Sequence, residues 1–108
     1  MSTTKKINKE EWQERLQLFT SGNRRRKAAI EVEGITTVKN QALRDVEYDP
    51  IGKGNDLIIT LGNSENLFTH TVNDPEELVL HQESNGEVSS LEIKDQYGEK
   101  TFLRLLNN

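Results

Sequence analysis

The spacing of apolar residues changes near residue 27. Before that point Trp12, Leu16 and Phe19 recur at i, i+4 and i+7, which places them on one face of an amphipathic helix. After it, apolar and polar residues alternate with period two, the pattern of half-buried strands. The sequence therefore predicts one N-terminal helix followed by a sheet.

Three signals agree on where the helix begins. Asn8 is a candidate N-cap, and Glu11 follows at the spacing of a capping box. Ile7 and Trp12 occupy the two positions of a hydrophobic staple. We therefore expect the helix to begin directly after Asn8.

The helix should end within residues 20–23, where Gly22 or Asn23 can adopt the left-handed conformation. A helix of about 12 residues is marginal alone in water, so its apolar stripe must pack on the sheet. Residues 1–6 carry no apolar pattern beyond the first methionine and are predicted to be a flexible N-terminal tail.

The period-two pattern predicts six to seven strands, while residues 35–44 remain ambiguous. The connections after residue 48 are too short for crossovers, so neighbouring strands there should be antiparallel. The predicted fold is α+β: one N-terminal helix packed on a curled, mostly antiparallel sheet, in a single domain spanning residues 7–108. The clearest strand segments are 28–32, 46–48, 57–61, 67–72, 78–82, 88–94 and 100–106.

A few apolar residues fall on the second face of the predicted sheet, namely Ile58, Val79, Phe102 and Leu106. A strongly curled sheet, a partly covered second face and a dimer contact would each explain them. The pattern alone leaves all three explanations open.

The charge of the chain also changes close to the point where the spacing of apolar residues changes. Residues 1–30 carry eight Lys or Arg against three acids, whereas residues 31–108 carry six against fifteen, and the 108 residues together have a net charge of −4. An acidic domain argues against binding nucleic acid over its whole surface. No cysteine is present, which excludes disulfides and thiolate metal sites. No segment resembles a signal peptide or an apolar membrane span, so we expect a cytoplasmic protein without membrane contact.

The basic run Arg24, Arg25, Arg26 and Lys27 is the sharpest local feature. It directly follows the predicted helix, and four adjacent cations could bind a phosphate or an acidic partner. No aromatic residue flanks the run, as would be typical of a single-strand nucleic-acid platform. Pairing with the acids of the same domain is the simpler explanation.

The candidates for catalysis and metal binding are weaker. His70 lies in an apolar strand pattern and would need an orienting carboxylate to act as a base, and the same holds for His81. A structural role fits both better, and no His spacing resembles a metal site, so no metal or cofactor is expected.

The acidic segments of the chain have structural explanations as well. Asp45, Glu47 and Asp49 alternate along one strand face, where a solvated row is the simplest interpretation. Residues 49–56 lack the ligand pattern of a calcium loop, and Gly52-x-Gly54 lacks the following helix of a phosphate cradle. We assign no catalytic residue.

Several of these spacings together resemble an uncharacterised bacterial family of small α+β domains, a domain of unknown function that is also found in cyanobacteria. The resemblance covers nearly the whole chain except residues 35–44 and the basic run. It implies a small intracellular α+β domain and carries over no catalytic residue. The matching positions are Trp12, Phe19, Ala29-Ile30-Glu31-Val32-x-Gly34, Tyr48-Asp49-Pro50, His70-x-Val72-x-x-Pro75 and Leu91-Glu92-Ile93-x-Asp95-x-x-Gly98-x-x-Thr101-x-Leu103-Arg104.

Three functional classes follow from the sequence. The first is a non-enzymatic interaction or regulatory module with a protein partner or a weak homodimer. The second is a binder of an anionic ligand or nucleic acid through residues 24–27. The third is an enzyme that uses His70 with a nearby carboxylate.

Overall fold

The computed structural model describes residues 3–49 and 55–106. Within them, a short 3-10 turn (Lys9–Glu11) leads into one α-helix, α1 (Trp12–Asn23). The strands are β1 (Thr3–Lys6), β2 (Lys27–Val32), β3 (Ile35–Asp49), β4 (Asp56–Gly62), β5 (Leu67–Asn73), β6 (Pro75–Gln82), β7 (Val88–Asp95) and β8 (Lys100–Leu105).

The strands form one antiparallel sheet in the order β1-β6-β7-β8-β2-β3-β4-β5. The predicted α+β class and antiparallel sheet are confirmed, but the described residues form eight strands rather than six to seven. The additional strand is β1, which pairs with β6 from Thr3↔Gln82 to Lys6↔Val79. Residues 1–6 were predicted to be a flexible tail. Thr3–Lys6 instead form a strand held by backbone pairing, and residues 1–2 lie outside the described residues. The extent of the domain, residues 7–108, remains a prediction.

The ambiguous residues 35–44 lie within the long strand β3, which changes its partner midway. Its first half pairs with β2 and its second half pairs with β4. Three register shifts interrupt these pairings, and Asn40 has a φ of 58°. Extra residues of this kind bend a strand and increase its twist. The bent strand curls the sheet, so that β5 contacts β7.

The core fills the concave side of the curled sheet, and α1 packs against it. The predicted stripe Trp12, Leu16 and Phe19 is buried, as the spacing requires. Burying each large apolar side chain stabilises the fold by about 1.5–3 kcal/mol. The sheet side chains buried on this side include Ile30, Leu43, Leu57, Ile59, Leu61, Leu78, Leu91, Ile93 and Leu103.

Trp12 connects the start of the helix to the core. Its indole N–H donates to the Ile7 carbonyl at 2.9 Å, and its ring meets Tyr48 edge-on with centroids 4.9 Å apart. This hydrogen bond joins Trp12 to the Ile7 backbone, and both side chains are buried in the core. The helix was expected to begin directly after Asn8, but the 3-10 turn occupies that position and α1 begins at Trp12. The predicted capping box is absent at this position, since Asn8 makes no side-chain cap bond and Glu11 N–H donates to the Asn8 carbonyl within the 3-10 turn.

Polar side chains of α1 form hydrogen bonds with backbone groups on the edge of β3 that no strand of the described residues adjoins. The Thr20 hydroxyl accepts from the Val46 N–H at 3.1 Å and donates to the Val46 carbonyl at 3.4 Å. The Gln13 amide donates to the Tyr48 carbonyl at 3.4 Å. Buried backbone groups must be paired, so these contacts fix α1 along the second half of β3.

The end of α1 differs from the prediction. Asn23 remains helical, and the residue with left-handed φ is Arg25, at 75°, rather than Gly22 or Asn23. Tertiary pairing explains this difference. Arg25 N–H donates to the Leu43 carbonyl at 2.9 Å, and Leu43 N–H donates to the Arg26 carbonyl at 2.8 Å.

Charged side chains partly cover the outer face of the sheet. Arg104 binds Glu31 through two nitrogens, at 3.1 and 3.3 Å, and its guanidinium lies 4.8 Å from the Phe102 ring. The pKa of Glu31 is lowered by this hydrogen bond and by the charge of Arg104. Of the second-face residues, Ile58, Val79 and Phe102 are half-buried, whereas Leu106 is 37% exposed.

The role of Thr20 gives a stability prediction. Thr20→Val keeps the shape of the side chain but leaves the buried Val46 N–H without its acceptor, so the free energy of unfolding should fall by about 1–3 kcal/mol. Urea unfolding measures the change. Ser21→Ala, at the exposed neighbouring position, is the control and should alter stability by less than about 0.5 kcal/mol. Equal effects from both variants would contradict the role of Thr20.

Candidate anion-binding groove

Three chain segments meet at a groove of ≈ 630 Å³ beside the end of α1. They are the turn that joins α1 to β2, the middle of β3, and the loop between β4 and β5. We call this feature the arginine groove, and its lining residues are Arg24, Arg25, Ala42, Leu43, Arg44, Asp45, Gly62 and Asn63.

The turn that carries Arg24 and Arg25 is held by its backbone. The two hydrogen bonds to Leu43 fix it against β3, and both arginine side chains are exposed. Left-handed φ costs a non-glycine residue roughly 1–2 kcal/mol. Glycine would adopt the conformation of Arg25 without that cost, so local geometry does not explain an arginine at this position.

Arg44 enters the groove through a bulge in β3. Leu43 pairs with Leu61 and Asp45 pairs with Thr60, which makes Arg44 the extra residue between two consecutive pairs. Bulges change the direction of a side chain and are frequent beside functional sites. Here the bulge brings a third guanidinium to the same groove.

The loop after β4 forms the opposite wall. The Asn63 carbonyl oxygen of the side chain accepts from the N–H groups of Glu65 and Asn66, at 2.9 and 3.0 Å. Gly62 has a φ of 107°, and a Cβ at this position would lie 2.1 Å from the Asn66 carbonyl oxygen. Only glycine fits this wall without displacing the loop backbone.

The structure divides the basic run predicted from sequence. Arg24 and Arg25 line the groove, whereas Arg26 donates to the Asn23 side chain at 2.8 Å and to the Val88 carbonyl at 3.1 Å. Lys27 is the exposed first residue of β2. Among the residues described, the ion pairs involve other cations, and none of these four pairs with a carboxylate. The simpler explanation, in which the acids of the domain neutralise the run, therefore has no ion pair to support it.

The family model of DUF5335, described as a family of unknown function, matches residues 3–108. The chain belongs to DUF5335. This agrees with the resemblance to a family of unknown function seen in the sequence, and the match includes the groove residues that the resemblance left out. No curated protein and no solved structure matches this DUF5335 chain.

An acidic groove borders the arginine groove in this DUF5335 domain. Its volume is ≈ 570 Å³, and its lining includes Glu14, Asp45 and Glu47. Asp45 lines both grooves, so positive and negative surfaces meet along β3. Of the calcium-like segment 49–56, residues 50–54 lie outside the described residues.

His70 lies on the concave side of β5, opposite Ile59, and is half-buried. Burial lowers the pKa of its imidazole, and the negative charge of Glu99 partly opposes this shift. Within residues 3–49 and 55–106, no hydrogen bond joins the His70 ring to a carboxylate or hydroxyl. The arrangement required of an oriented base is therefore not formed there.

His81 has the partners that His70 lacks. Its Nε2 lies 3.0 Å from a Glu92 carboxylate oxygen, and its Nδ1 lies 3.3 Å from the Thr4 hydroxyl. Glu92 also binds Lys100, at 3.6 Å. These side chains lie on the outer sheet face and line none of the grooves described above, so we interpret them as ties that hold β1 to β6 and β7.

Neighbouring ion pairs have the same effect at the other end of β1. Lys6 lies 3.0 Å from Glu77, which also pairs with Lys94 at 3.6 Å. The Lys6 hydrogen bond, followed by the charges of Lys6 and Lys94, lowers the pKa of Glu77. The outer face is thus internally paired, in contrast to the arginine groove.

Two further observations concern all of the described residues. The described residues contain no cluster of three or more His, Asp or Glu that could hold a metal ion. They also contain no helix with the length and hydrophobicity needed to cross a bilayer.

Sequence reasoning missed two members of the groove, Arg44 and Asn63. Arg44 is the one basic residue within 42–46, but a bulge cannot be read from periodicity, and the pattern gave no reason to join it to residues 24–25. Asn63 directly follows a glycine at a strand end, which is a turn signal, yet the spatial neighbour of that turn depends on the sheet order.

The wall of the groove yields a second stability prediction. Gly62→Ala forces a side chain into left-handed backbone and against the Asn66 carbonyl, so the free energy of unfolding should fall by at least about 1–2 kcal/mol. Gly22→Ala is the matched control, because nothing lies within 4 Å of its added Cβ inside a helix. That variant should gain about 0.8–1 kcal/mol. Thermal and urea unfolding test both, and a neutral Gly62→Ala would contradict the tight loop.

The lowered pKa of His70 gives a pH prediction. The folded state binds the proton more weakly than the unfolded state, so the contribution of His70 to stability is complete above about pH 6.5 and is lost as the pH falls below that value. His70→Gln should therefore flatten the decline of unfolding free energy below about pH 6.5.

An NMR titration of the His70 ring provides the direct measurement. Its pKa should lie below the ordinary value, and Glu99→Gln should lower it further because an opposing negative charge is removed. A pKa above the ordinary value would contradict the effect of burial, and one raised by Glu99→Gln would contradict the effect of the Glu99 charge.

Proposed function

We propose that this DUF5335 domain is a non-enzymatic interaction module that binds an acidic segment of a protein partner in the arginine groove. The observation that carries the proposal is the convergence of Arg24, Arg25 and Arg44, from two separate parts of the chain, on one groove. Among residues 3–49 and 55–106, none of the three forms an ion pair with a carboxylate. Planar guanidinium groups bind carboxylates and phosphates through paired hydrogen bonds.

The surroundings of the groove favour a compact anionic group. A volume of ≈ 630 Å³ is in the range of ordinary ligand sites. The adjoining acidic groove, with Glu14 and Glu47, would repel the next phosphates of a nucleic-acid backbone. A protein segment can confine one or two carboxylates to the arginine groove, whereas a nucleic-acid backbone carries a charge on every nucleotide, so nucleic acid is the less favoured partner.

The conformation of Arg25 supports a binding role independently. A residue held in left-handed backbone, where glycine would be less strained, is a reason to look for function in its side chain. This interpretation predicts that stability and binding will respond differently to replacement of Arg25.

The bacterial origin and cytoplasmic location also belong to this proposal. They are supported by the resemblance noted in the sequence and by the absence of cysteine, which suits a reducing compartment.

Titration with a short Glu-Glu peptide, followed by amide chemical shifts, tests the module. Wild-type shifts should concentrate at residues 24–25, 42–45 and 62–63. Replacing the three guanidiniums in Arg24→Gln/Arg25→Gln/Arg44→Gln removes charge-assisted hydrogen bonds of about 1.5–3 kcal/mol each, so affinity should fall at least about tenfold.

The matched control is Lys5→Gln/Lys9→Gln/Lys39→Gln, which makes the same change in net charge at exposed positions outside the groove. Affinity that fell equally in both triple variants would reduce the effect to general attraction and refute the groove. Raising the salt concentration should weaken wild-type binding through screening. Binding of a single-stranded oligonucleotide in preference to the peptide would replace the protein partner with nucleic acid.

Arg25→Gly separates binding from folding. The free energy of unfolding should stay unchanged or rise because the left-handed strain of about 1–2 kcal/mol is relieved, while peptide affinity should fall. Isothermal titration and urea unfolding give the two readouts. A clear loss of stability without loss of affinity would show that Arg25 is structural.

A further inference from the structure

Strand β5 (Leu67–Asn73) forms one edge of the sheet and contacts β7 through the curl of the sheet, but it lacks the short length and the lysines that usually protect an edge. It pairs with β4 over seven consecutive residues without a register shift. Its sequence contains neither a charged residue nor proline. In the described part of the chain, its backbone makes no hydrogen bond to any element other than β4.

The other edge of the same sheet is protected. Strand β1 has four residues, and two of them are lysines. Lys6 is also tied to Glu77. Short edge strands and lysines are the usual means by which proteins prevent further strand pairing. One edge is therefore short and charged, whereas the other is longer and uncharged.

The sequence of β5 is complementary to itself in the antiparallel direction. If His70 faces His70 of a second copy, then Phe68 faces Val72 and Thr69 faces Thr71, in both directions. Aromatic–β-branched pairs and Thr–Thr pairs are favourable cross-strand neighbours. Phe68 and Leu67, which are 37% and 53% exposed, would gain cover at the two ends.

We propose that two copies of this chain associate through antiparallel pairing of their β5 strands about His70. The absence of charge on β5 lets two acidic domains approach without opposing like charges at the contact. The contact involves one strand of each copy, so the interface is small and the dimer should dissociate on dilution. The arginine groove is not part of this contact, and loss of peptide binding would leave the dimer intact.

Cysteine cross-linking tests the register, because the chain has no cysteine of its own. Opposed residues in an antiparallel pair have Cα atoms about 4.5 or 5.5 Å apart, which is within the range of a disulfide. His70→Cys should therefore form a dimeric disulfide at least about tenfold faster than Thr69→Cys, whose two copies would lie beyond about 7 Å. Position 69 is the more exposed of the two, so exposure alone would give the opposite order.

Sedimentation equilibrium of the unmodified chain provides the second measurement. The wild type should show a reversible monomer–dimer equilibrium, and Thr69→Lys/Thr71→Lys, which places like charges opposite each other, should weaken association at least about tenfold. Thr36→Lys/Ser84→Lys adds the same charge at exposed positions away from β5 and should leave the equilibrium close to wild type.

Circular dichroism of each variant verifies that the fold is retained. A wild type that remains monomeric at all concentrations would overturn the proposal. Equal cross-linking at positions 69 and 70, or equal weakening by both lysine pairs, would overturn it as well.

Discussion

The structure depends on how the second half of β3 satisfies its free edge. The strand separates from β2 at its bulges. The backbone groups of β3 beyond that point no longer pair with β2, yet they are buried and need other hydrogen-bond partners. Side chains of α1 form these hydrogen bonds, Thr20 with the backbone of Val46 and Gln13 with that of Tyr48. The backbone of the turn after α1 bonds to Leu43. Because an unpaired buried backbone group costs about 1–3 kcal/mol, this one constraint positions the helix, its C-terminal turn and the start of β2 together.

The arginine groove is a consequence of the same constraint. Arg24 and Arg25 face it because their backbone is docked on Leu43, and Arg44 joins them because a bulge follows Leu43. Backbone hydrogen bonds therefore hold the groove in shape. Among the described residues, the side chains that line it take no part in the network of ion pairs on the outer face. A rigid frame of this kind reduces the entropy lost when a ligand is held.

The periodic parts of the chain were predictable. Trp12, Leu16 and Phe19 lie on one helical face, and alternation marked seven of the eight strands, because a half-buried element must show its period in its sequence. Thr3–Lys6 escaped prediction, since an exposed edge strand can be held by backbone pairing alone. The bulged region of β3 escaped as well, because each inserted residue shifts the alternation by one.

Some features of the candidate site could be predicted from the sequence, and others could not. The sequence determined by itself that one amphipathic helix precedes an antiparallel sheet and that the four basic residues 24–27 follow the helix. Only the tertiary structure decided that Arg26 is used internally, that Arg44 completes the groove, and that β5 rather than β1 is the open edge. The physical reason is that hydrophobic periods are local properties of a chain, whereas bulges, strand order and the pairing of free backbone groups are settled between segments far apart in sequence.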